Sequence, residues 1–194
     1  MSTRSYIAKQ ISDNQFRTIY CHSDGYLTHN GAMLLDHYSD AEKLDELLSL
    51  GDISCLAPTV NPDPSKPHSF DYDERQDGVV VAYGRERGDK DVEAKNFTAR
   101  QLTSEETWIA YIYIFDKSNK WIYGRPGDDI SEFRSVEEGL EKTYSYYDME
   151  RPEGYYGVLT DDVAEELKAG APANIIFHGY ANSSEELYNL YAGS

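Results

Sequence analysis

Residues 20–38, YCHSDGYLTHNGAMLLDHY, hold the densest group of side chains in the chain that could do chemistry. Thiols, imidazoles and carboxylates are the groups that bind transition metals and that act as nucleophiles and general bases. Two kinds of site are therefore open, a metal centre or a cysteine nucleophile activated by a histidine. The side chains concerned are Cys21, His22, Asp24, His29 and His37.

The spacing of these residues argues against a metal centre. Cys21 and His22 end a predicted strand, where neighbouring side chains point to opposite faces and do not easily share one ion. Neither a Cys-x-x-Cys nor a His-Glu-x-x-His pattern occurs in the sequence. Asp24-Gly25 and Asn30-Gly31 are typical turn dipeptides in which the glycine supplies a positive φ. We therefore predict no metal and favour a packed strand–loop–helix corner, while catalysis by Cys21 stays open.

Arg85 and Arg87, in the segment YGRERG, are a second candidate ligand site. Two arginines on a glycine-flanked turn after a strand can hold a phosphate or another anion. On an acidic protein such arginines more often pair with carboxylates, which is the competing interpretation. The sequence contains no P-loop, no dinucleotide fingerprint and no Gly-x-Ser-x-Gly elbow.

The net charge of −17 is concentrated towards the C-terminus. Residues 128–194 carry 15 acids and four bases, whereas residues 1–127 carry 20 acids and 14 bases. A field of this sign repels free nucleic acid and anionic membranes, and it attracts basic protein surfaces. We therefore expect a basic protein partner, and neither direct nucleic-acid binding nor membrane binding.

Three predicted C-terminal helices carry their acids away from the apolar stripe. Carboxylates on successive turns lie about 5–6 Å apart, so a row of them can imitate backbone phosphates and occupy a surface of lysines and arginines. The competing interpretation is an ordinary solvated helix face. The predicted partner-binding acids are Glu137, Glu138, Glu141, Asp161, Asp162, Glu165, Glu166, Glu185 and Glu186.

The elements that must position these residues start with a predicted β-hairpin over residues 5–11 and 16–22. The capping-box pattern Ser39-x-x-Glu42 then predicts a helix that ends at Gly51. Residues 58–67 hold four prolines, which indicates a surface connection rather than a helix or a central strand.

A buried strand is predicted over residues 79–83, running into the turn with the two arginines. A second hairpin is predicted from residues 108–115 and 120–123. Its first strand is apolar or aromatic on both faces, so we expect it to be a central strand that is covered on both sides.

The last third of the chain alternates between helices and strands. We predict helices over residues 135–149 and 161–169, a strand over residues 155–159 between them, a strand over residues 173–180 and a final helix from Ser183.

Together these elements predict an α+β fold, in which helices pack on a mostly antiparallel sheet and the C-terminal portion is acid-rich and alternates helix, strand and helix. We expect residues 1–127 to form the core domain. Residues 128–194 would form the acidic portion, either continuous with that core or as a second lobe of it.

Composition indicates a soluble, folded, cytoplasmic protein. The 17 tyrosines argue against disorder, because disordered acidic chains are poor in aromatic residues. No apolar run is long enough to span a membrane, and the N-terminal residues lack the apolar core of a signal peptide. Cys21 and Cys55 are too few for a disulfide scaffold. We expect no cofactor, and the oligomeric state stays open.

The segments RSYI (residues 4–7), YCHSDGY (20–26) and GAMLLDHY (31–38) resemble small uncharacterised acidic proteins encoded by bacteriophages and other mobile elements. Those proteins often have an aromatic residue where this chain has Ser23. The resemblance continues through residues 44–54 and 83–88 and into the hairpin of residues 111–121, whereas residues 145–194 look like an addition. It implies a bacterial host cell as the setting, and it implies no activity and no catalytic residue.

Small acidic phage proteins recur among anti-restriction and anti-CRISPR inhibitors, several of which are DNA mimics, and the analogy is one of class. We therefore expect a non-enzymatic inhibitor that blocks a basic nucleic-acid-binding surface of a bacterial defence complex. The alternative is a small enzyme or anion-binding protein with its site at residues 20–38 and at Arg85 and Arg87.

Overall fold

The computed structural model describes residues 2–172 of the 194-residue chain. The strands in this part are β1 (Ser5–Ser12), β2 (Gln15–Cys21), β3 (Ile53–Cys55), β4 (Val81–Ala82), β5 (Lys95–Phe97), β6 (Tyr111–Phe115), β7 (Trp121–Gly124) and β8 (Arg134–Ser135). The α-helices are α1 (Ala32–His37), α2 (Ala41–Ser49), α3 (Tyr83–Arg87), α4 (Ala99–Leu102), α5 (Val136–Tyr146) and α6 (Asp161–Lys168). A π-helical turn, Leu27–Gly31, leads into α1.

The strands form one mixed sheet in the order β4-β3-β2-β1-β6-β7-β8, and β5 pairs with β2 near Phe16. Five of the seven strand pairings are antiparallel, and the parallel ones are β1 with β6 and β2 with β3. The predicted α+β class, with helices on a mostly antiparallel sheet, is therefore confirmed. Both predicted hairpins form, and they lie side by side because β1 pairs with β6.

Strand β6 is central and is covered on both faces, as its sequence predicts. Tyr113 and Phe115 point into the larger core cluster, and Ile112 and Ile114 point into the smaller one on the opposite face. All four side chains are at most 1% exposed. The predicted strand started too early, because Trp108 lies outside β6 and is 87% exposed.

The helices that cover the larger face bury one apolar stripe each. Leu44, Leu47 and Leu48 of α2 are completely buried, and so is Val136 of α5. Removing a leucine side chain of this kind from water stabilises the fold by roughly 1.5–3 kcal/mol. The outer faces of these helices are consequently free to carry charge.

Helix α2 starts one residue later than the capping-box pattern indicates. Its N-cap is Asp40, whose carboxylate accepts hydrogen bonds from the backbone N–H groups of Glu42 and Lys43 at 3.0 and 2.9 Å. The hydroxyl of Ser39 instead donates to the carbonyl of Leu35 in the preceding helix. The predicted end is confirmed, since Gly51 has φ +74°, a left-handed value that favours glycine.

The strand predicted over residues 79–83 shortens to the two residues of β4. The segment with the two arginines is the single helical turn α3 rather than an open turn, and it ends at Gly88 in the left-handed conformation. The proline-rich segment is a connection, as predicted, although Val60 within it is only 3% exposed.

The predicted strand over residues 155–159 is wrong. Gly154 has a φ of +72°, and the hydroxyl of Tyr155 donates to the carbonyl of Val158 at 2.7 Å, so the chain curls on itself. The aromatic residues that suggested a strand pack in the larger core without strand pairing, and Tyr155 is completely buried there.

Residues on both sides of position 127 pack in the larger core, because Leu140, Tyr144 and Val163 join the same cluster as Ile7 and Leu47. The division into two portions at that position stays a prediction. The strand predicted over residues 173–180 and the helix predicted from Ser183 lie outside the described residues.

Candidate functional site

Helix α5 separates its apolar and acidic residues cleanly. Val136, Leu140 and Tyr144 are buried, whereas Glu137, Glu138 and Glu141 are all exposed. The helix starts at an N-cap on Ser135, as predicted, whose hydroxyl accepts a hydrogen bond from the N–H of Glu138. None of the three carboxylates lies within ion-pair distance of a base in the described residues.

Helix α6 repeats this arrangement on a shorter length. Val163 and Ala164 are buried, and Asp161, Asp162 and Glu165 are exposed. Glu165 lies 3.4 Å from the amino group of Lys168, an exposed i,i+3 pair of the kind that contributes about 0.2–0.5 kcal/mol. We call these three acids, with the three of α5, the acidic helix faces.

Two sets of predicted acids lie outside the acidic helix faces. Glu166 is half-buried, and its Oε2 is shielded from solvent without a hydrogen-bond partner among the described residues. Glu166 therefore differs from Asp162 and Glu165, whose carboxylates are exposed at the surface. Glu185 and Glu186 fall outside residues 2–172.

The segment between α5 and α6 is tied to α1 by an ion pair. Both terminal nitrogens of Arg151 donate to the carboxylate of Asp36 at 2.8 Å, which is the bidentate geometry that arginine favours. The hydroxyl of Tyr156 also donates to Asp36, at 3.3 Å, and lies 2.6 Å from Nε2 of His37. This contact fixes the acid-bearing region against the first third of the chain.

Residues 20–38, here called the N-terminal corner, hold Cys21 in a buried polar cluster. The thiol donates to the carbonyl of Ser23 at 3.4 Å and accepts from Nδ2 of Asn30 at 3.3 Å. Burial raises the pKa of Cys21 to about 12. The side chain is therefore a protonated thiol at neutral pH, whereas a nucleophilic cysteine needs a thiolate.

The three histidines of the corner are not brought together around Cys21. His22 faces the other way, with Nδ1 at 2.8 Å from the hydroxyl of Tyr20, as strand alternation predicts. His29 is buried beside Asn30, at 2.9 Å from its Oδ1, while His37 contacts Tyr156. Burial is the main cause that lowers the pKa of all three imidazoles.

The turn predictions in the corner are wrong in detail. Asp24 itself has the positive φ, at 55°, and Gly25 is required because a side chain there would meet the backbone of Arg4 at 2.9 Å. Asn30 and Gly31 are helical rather than a turn. Asn30 is completely buried, and its amide joins Ser5, Cys21 and Ser23.

Arg85 and Arg87 are both engaged within the protein. The guanidinium of Arg85 bonds to Glu86 and donates to the carbonyls of Val60 and Val80 at 2.9 and 2.7 Å. Arg87 pairs with Asp89 and lies 4.5 Å from the centroid of the Tyr83 ring. The structural interpretation of these arginines, pairing with acids, fits this geometry better than an anion site.

Within residues 2–172, no three His, Cys, Asp or Glu side chains are close enough together to hold a metal ion. The helices of this part of the chain are all too short or too polar to cross a lipid bilayer.

Several exposed groups lie outside the predicted sites. Tyr146, on the outer side of α5, is 82% exposed, and Trp108, which the sequence places in a strand, is 87% exposed. Arg125 and Arg134 line a cleft at one end of β7. In the sequence, the two arginines are marked only by their position on either side of a turn that follows an aromatic strand. Nothing in the neighbouring residues distinguishes them from other surface arginines.

Comparison with known proteins returned no match, whether to a protein-family model, to a curated protein or to a solved structure. The resemblance to proteins of bacteriophages and mobile elements therefore stays a prediction from the sequence.

Proposed function

We propose that this protein is an inhibitor that binds a basic, nucleic-acid-binding surface of another protein through its acidic helix faces. The carboxylates of α5 and α6 would occupy the positions that backbone phosphates take on that surface. The bacteriophage setting, and a defence nucleoprotein complex as the target, rest on the sequence resemblance.

The observation that carries the proposal is that six exposed carboxylates stand on two helices with almost no internal neutralisation. Only Glu165 has a base within ion-pair distance in the described part of the chain. Like charges four residues apart, such as Glu137 and Glu141, cost roughly 0.2–0.5 kcal/mol per pair in a helix. Carboxylates that repel one another in the free protein are stabilised when a basic surface covers them, and this stabilisation favours binding.

The backbones of the two helices that carry these charges are held firmly in place. Each inner face is packed in the larger core, through Leu140 and Tyr144 in α5 and through Val163 in α6. The bidentate pair of Arg151 and Asp36 fixes the segment that joins them. A fixed helix backbone favours binding, because fewer backbone motions are lost in the complex.

Exposed Tyr146 adds an apolar anchor at the end of the α5 face. Its ring packs edge-on against Tyr147 at a centroid distance of 5.1 Å, which leaves most of its surface to solvent. Tyrosine is among the residues that contribute most to binding at protein interfaces.

Charge reversal tests the proposal. The triple variant Glu137→Lys, Glu141→Lys and Asp162→Lys reverses three exposed carboxylates, and the control Glu74→Lys, Asp77→Lys and Glu106→Lys makes the same change of charge on exposed acids elsewhere. Each purified protein captures partners from bacterial lysate at low salt, and the partner identified by mass spectrometry is then purified.

We expect the parent and the control to bind a nucleic-acid-binding protein and to compete with its nucleic acid, with affinity that falls steeply as salt rises. The acidic-face variant should lose both properties. Capture of no such partner, or equal competition by the acidic-face variant, would show the proposal to be wrong.

A further inference from the structure

A cleft of about 810 Å³ opens where β7 ends, beside the π-helical turn and α5. Its volume lies in the range of small-molecule sites, roughly 300–1,000 Å³. The residues that give it chemical character are Tyr111, Tyr123, Arg125, Asp128, Glu132 and Arg134. We call it the β7 cleft, and it contains none of the acidic helix faces.

One wall of the β7 cleft is aromatic, and the buried ring of Tyr113 supports it. The rings of Tyr111 and Tyr113 are nearly parallel, with centroids 6.2 Å apart and an interplanar angle of 9°. Tyr123, the cross-strand neighbour of Tyr113 on β7, stacks against it with centroids 6.4 Å apart. Tyr113 is buried and donates its hydroxyl to the carbonyl of Gly25 at 2.8 Å, so the central ring of the three is fixed.

Helix α5 leaves room for Tyr123 through a glycine. A Cβ atom at Gly139 would stand 2.6 Å from the hydroxyl of Tyr123, closer than real Cβ atoms approach. The lack of a side chain at Gly139 therefore leaves space for the Tyr123 hydroxyl beside α5, and Tyr123 lines the cleft.

Two arginines reach the same cleft without a carboxylate partner. Among the described residues neither Arg125 nor Arg134 has an acid within 4.0 Å; Arg4, Arg17, Arg75 and Arg100 also lack one, but these four do not line the β7 cleft. The guanidinium of Arg125 lies 5.4 Å from the centroid of the Tyr111 ring. Two unpaired arginines that line one cleft offer donors to an anion, in a chain with 35 acids and 18 bases.

The cleft also contains two acids, Asp128 and Glu132, and neither lies within ion-pair distance of Arg125 or Arg134. The carboxylate of Asp128 accepts a hydrogen bond from the backbone N–H of Arg125 at 2.8 Å, which closes the turn after β7. Glu132 is exposed at the rim. Both carboxylates are acceptors for the hydroxyl or amino groups of a ligand.

We propose that the β7 cleft binds a nucleoside phosphate. The tyrosine wall offers a flat face on which a base can stack, a contact that contributes about 1–3 kcal/mol for each base in nucleic-acid-binding proteins. Arg125 and Arg134 bind the phosphate, for which the planar guanidinium provides paired donors. Inorganic phosphate satisfies only the arginines, and a nucleoside satisfies only the tyrosines, so the combination selects the nucleotide.

Isothermal titration calorimetry of the full chain at low salt tests the proposal. The probes are adenosine, guanosine, cytidine and uridine 5′-monophosphates, with inorganic phosphate and adenosine as the partial ligands. We expect at least one monophosphate to bind with a Kd below about 1 mM. Its affinity should exceed that of either partial ligand at least about tenfold, because each lacks one half of the contacts.

The variants Arg125→Gln and Arg134→Gln should each weaken that binding about tenfold or more, and Tyr111→Leu should weaken it too. The control Arg100→Gln removes an exposed arginine of α4 that does not line the β7 cleft, and it should leave the affinity unchanged. Thermal melting without ligand shows whether each variant is folded, and a bound nucleotide should raise Tm in the parent.

Failure of all four monophosphates to bind below about 1 mM would overturn the proposal. Equal affinity for inorganic phosphate, or unchanged affinity in the folded arginine variants, would overturn it too. The triple lysine variant of the acidic helix faces should not lose nucleotide affinity, since its added positive charge favours an anion, so the proposed inhibitor function and the nucleotide site fail or succeed separately.

Discussion

The N-terminal corner and the acidic helix faces are both rich in polar and ionisable side chains. In the corner most of these side chains point into the protein, whereas on the acidic helix faces they point into solvent. In the corner, Cys21, His29 and Asn30 are buried and use their bonding capacity on one another and on nearby backbone. On the acidic helix faces, Glu137 and Glu141 have no internal partner within the described residues and stand in solvent.

The difference shows that the density of reactive residue types does not identify a binding surface. Polar groups that satisfy each other inside the fold stabilise it, and their loss leaves buried atoms unpaired. Polar groups that repel one another outside the fold destabilise it slightly, and they are the ones available to a partner. Removing a buried group from the corner should therefore lower stability, whereas removing a carboxylate that is repelled by its neighbour, such as Glu141, should raise it.

The largest effect is expected from Asn30→Ala in the corner. The substitution removes the amide that joins Ser5, Cys21 and Ser23, so their buried groups lose partners. We expect the free energy of unfolding, measured by urea denaturation, to fall by about 2–4 kcal/mol. The control Asn96→Ala, at an exposed position of β5, should change it by less than about 0.5 kcal/mol. If Asn30→Ala lost no more stability than the control, the polar cluster of the corner would not stabilise the fold as inferred.

An intermediate effect is expected from pH, through His29. Burial lowers the pKa of this imidazole below its value in the unfolded chain, about 6.5. The unfolded state therefore binds the proton more readily, so stability is complete above about pH 6.5 and falls as pH drops below that value. The loss approaches about 1.4 kcal/mol for each unit by which the pKa is lowered, once the pH lies below the folded-state pKa.

Urea denaturation between about pH 7.5 and pH 5.5 measures this dependence on both sides of the unfolded-state pKa. His22 and His37 contribute in the same direction, since burial lowers the pKa of both, although they are less buried. The variant His29→Gln should have a flatter pH profile than the parent, whatever its absolute stability. An identical profile would show that His29 does not titrate on unfolding.

The smallest effect is expected on the acidic helix faces, and it has the opposite sign. Glu141→Gln removes the repulsion from Glu137 one turn earlier and should raise the free energy of unfolding by about 0.2–0.5 kcal/mol at low salt. The control Glu138→Gln should lower it, because that residue lies in the first turn near the positive end of the helix dipole. Loss of stability in Glu141→Gln would indicate that this carboxylate has an internal role after all.

Local signals in the sequence predicted the elements well where the structure itself is local. The two hairpins form from alternating segments and short turns, and α5 and α6 start at the predicted N-terminal positions. The N-cap of α2 shows the limit of such signals, because the sequence pattern predicts Ser39 and the structure uses Asp40. Both residues cap helices well, and only the path of the preceding chain decides which one is used.

Pairing over long distances was beyond the sequence. Nothing in residues 5–12 indicates that β1 pairs in parallel with β6, about a hundred residues later. Residues 155–159 have the composition of a strand, but a strand needs a free edge to pair with, and Gly154 turns the chain into a local curl instead. The β7 cleft was missed for the same reason, because Tyr111 and Arg134 meet only in the folded sheet.

The parallel pairing of β1 with β6 also sets the order of events while the ribosome makes the chain. The hairpin of β1 and β2 is complete once residue 21 has emerged, but the other edge of β1 stays open until residues 111–115 follow. At a synthesis rate of roughly 5–20 residues per second, that edge waits roughly 5–19 s for its partner. An open edge is a template for pairing between chains, so crowded polysomes are the place where this protein is most exposed to aggregation.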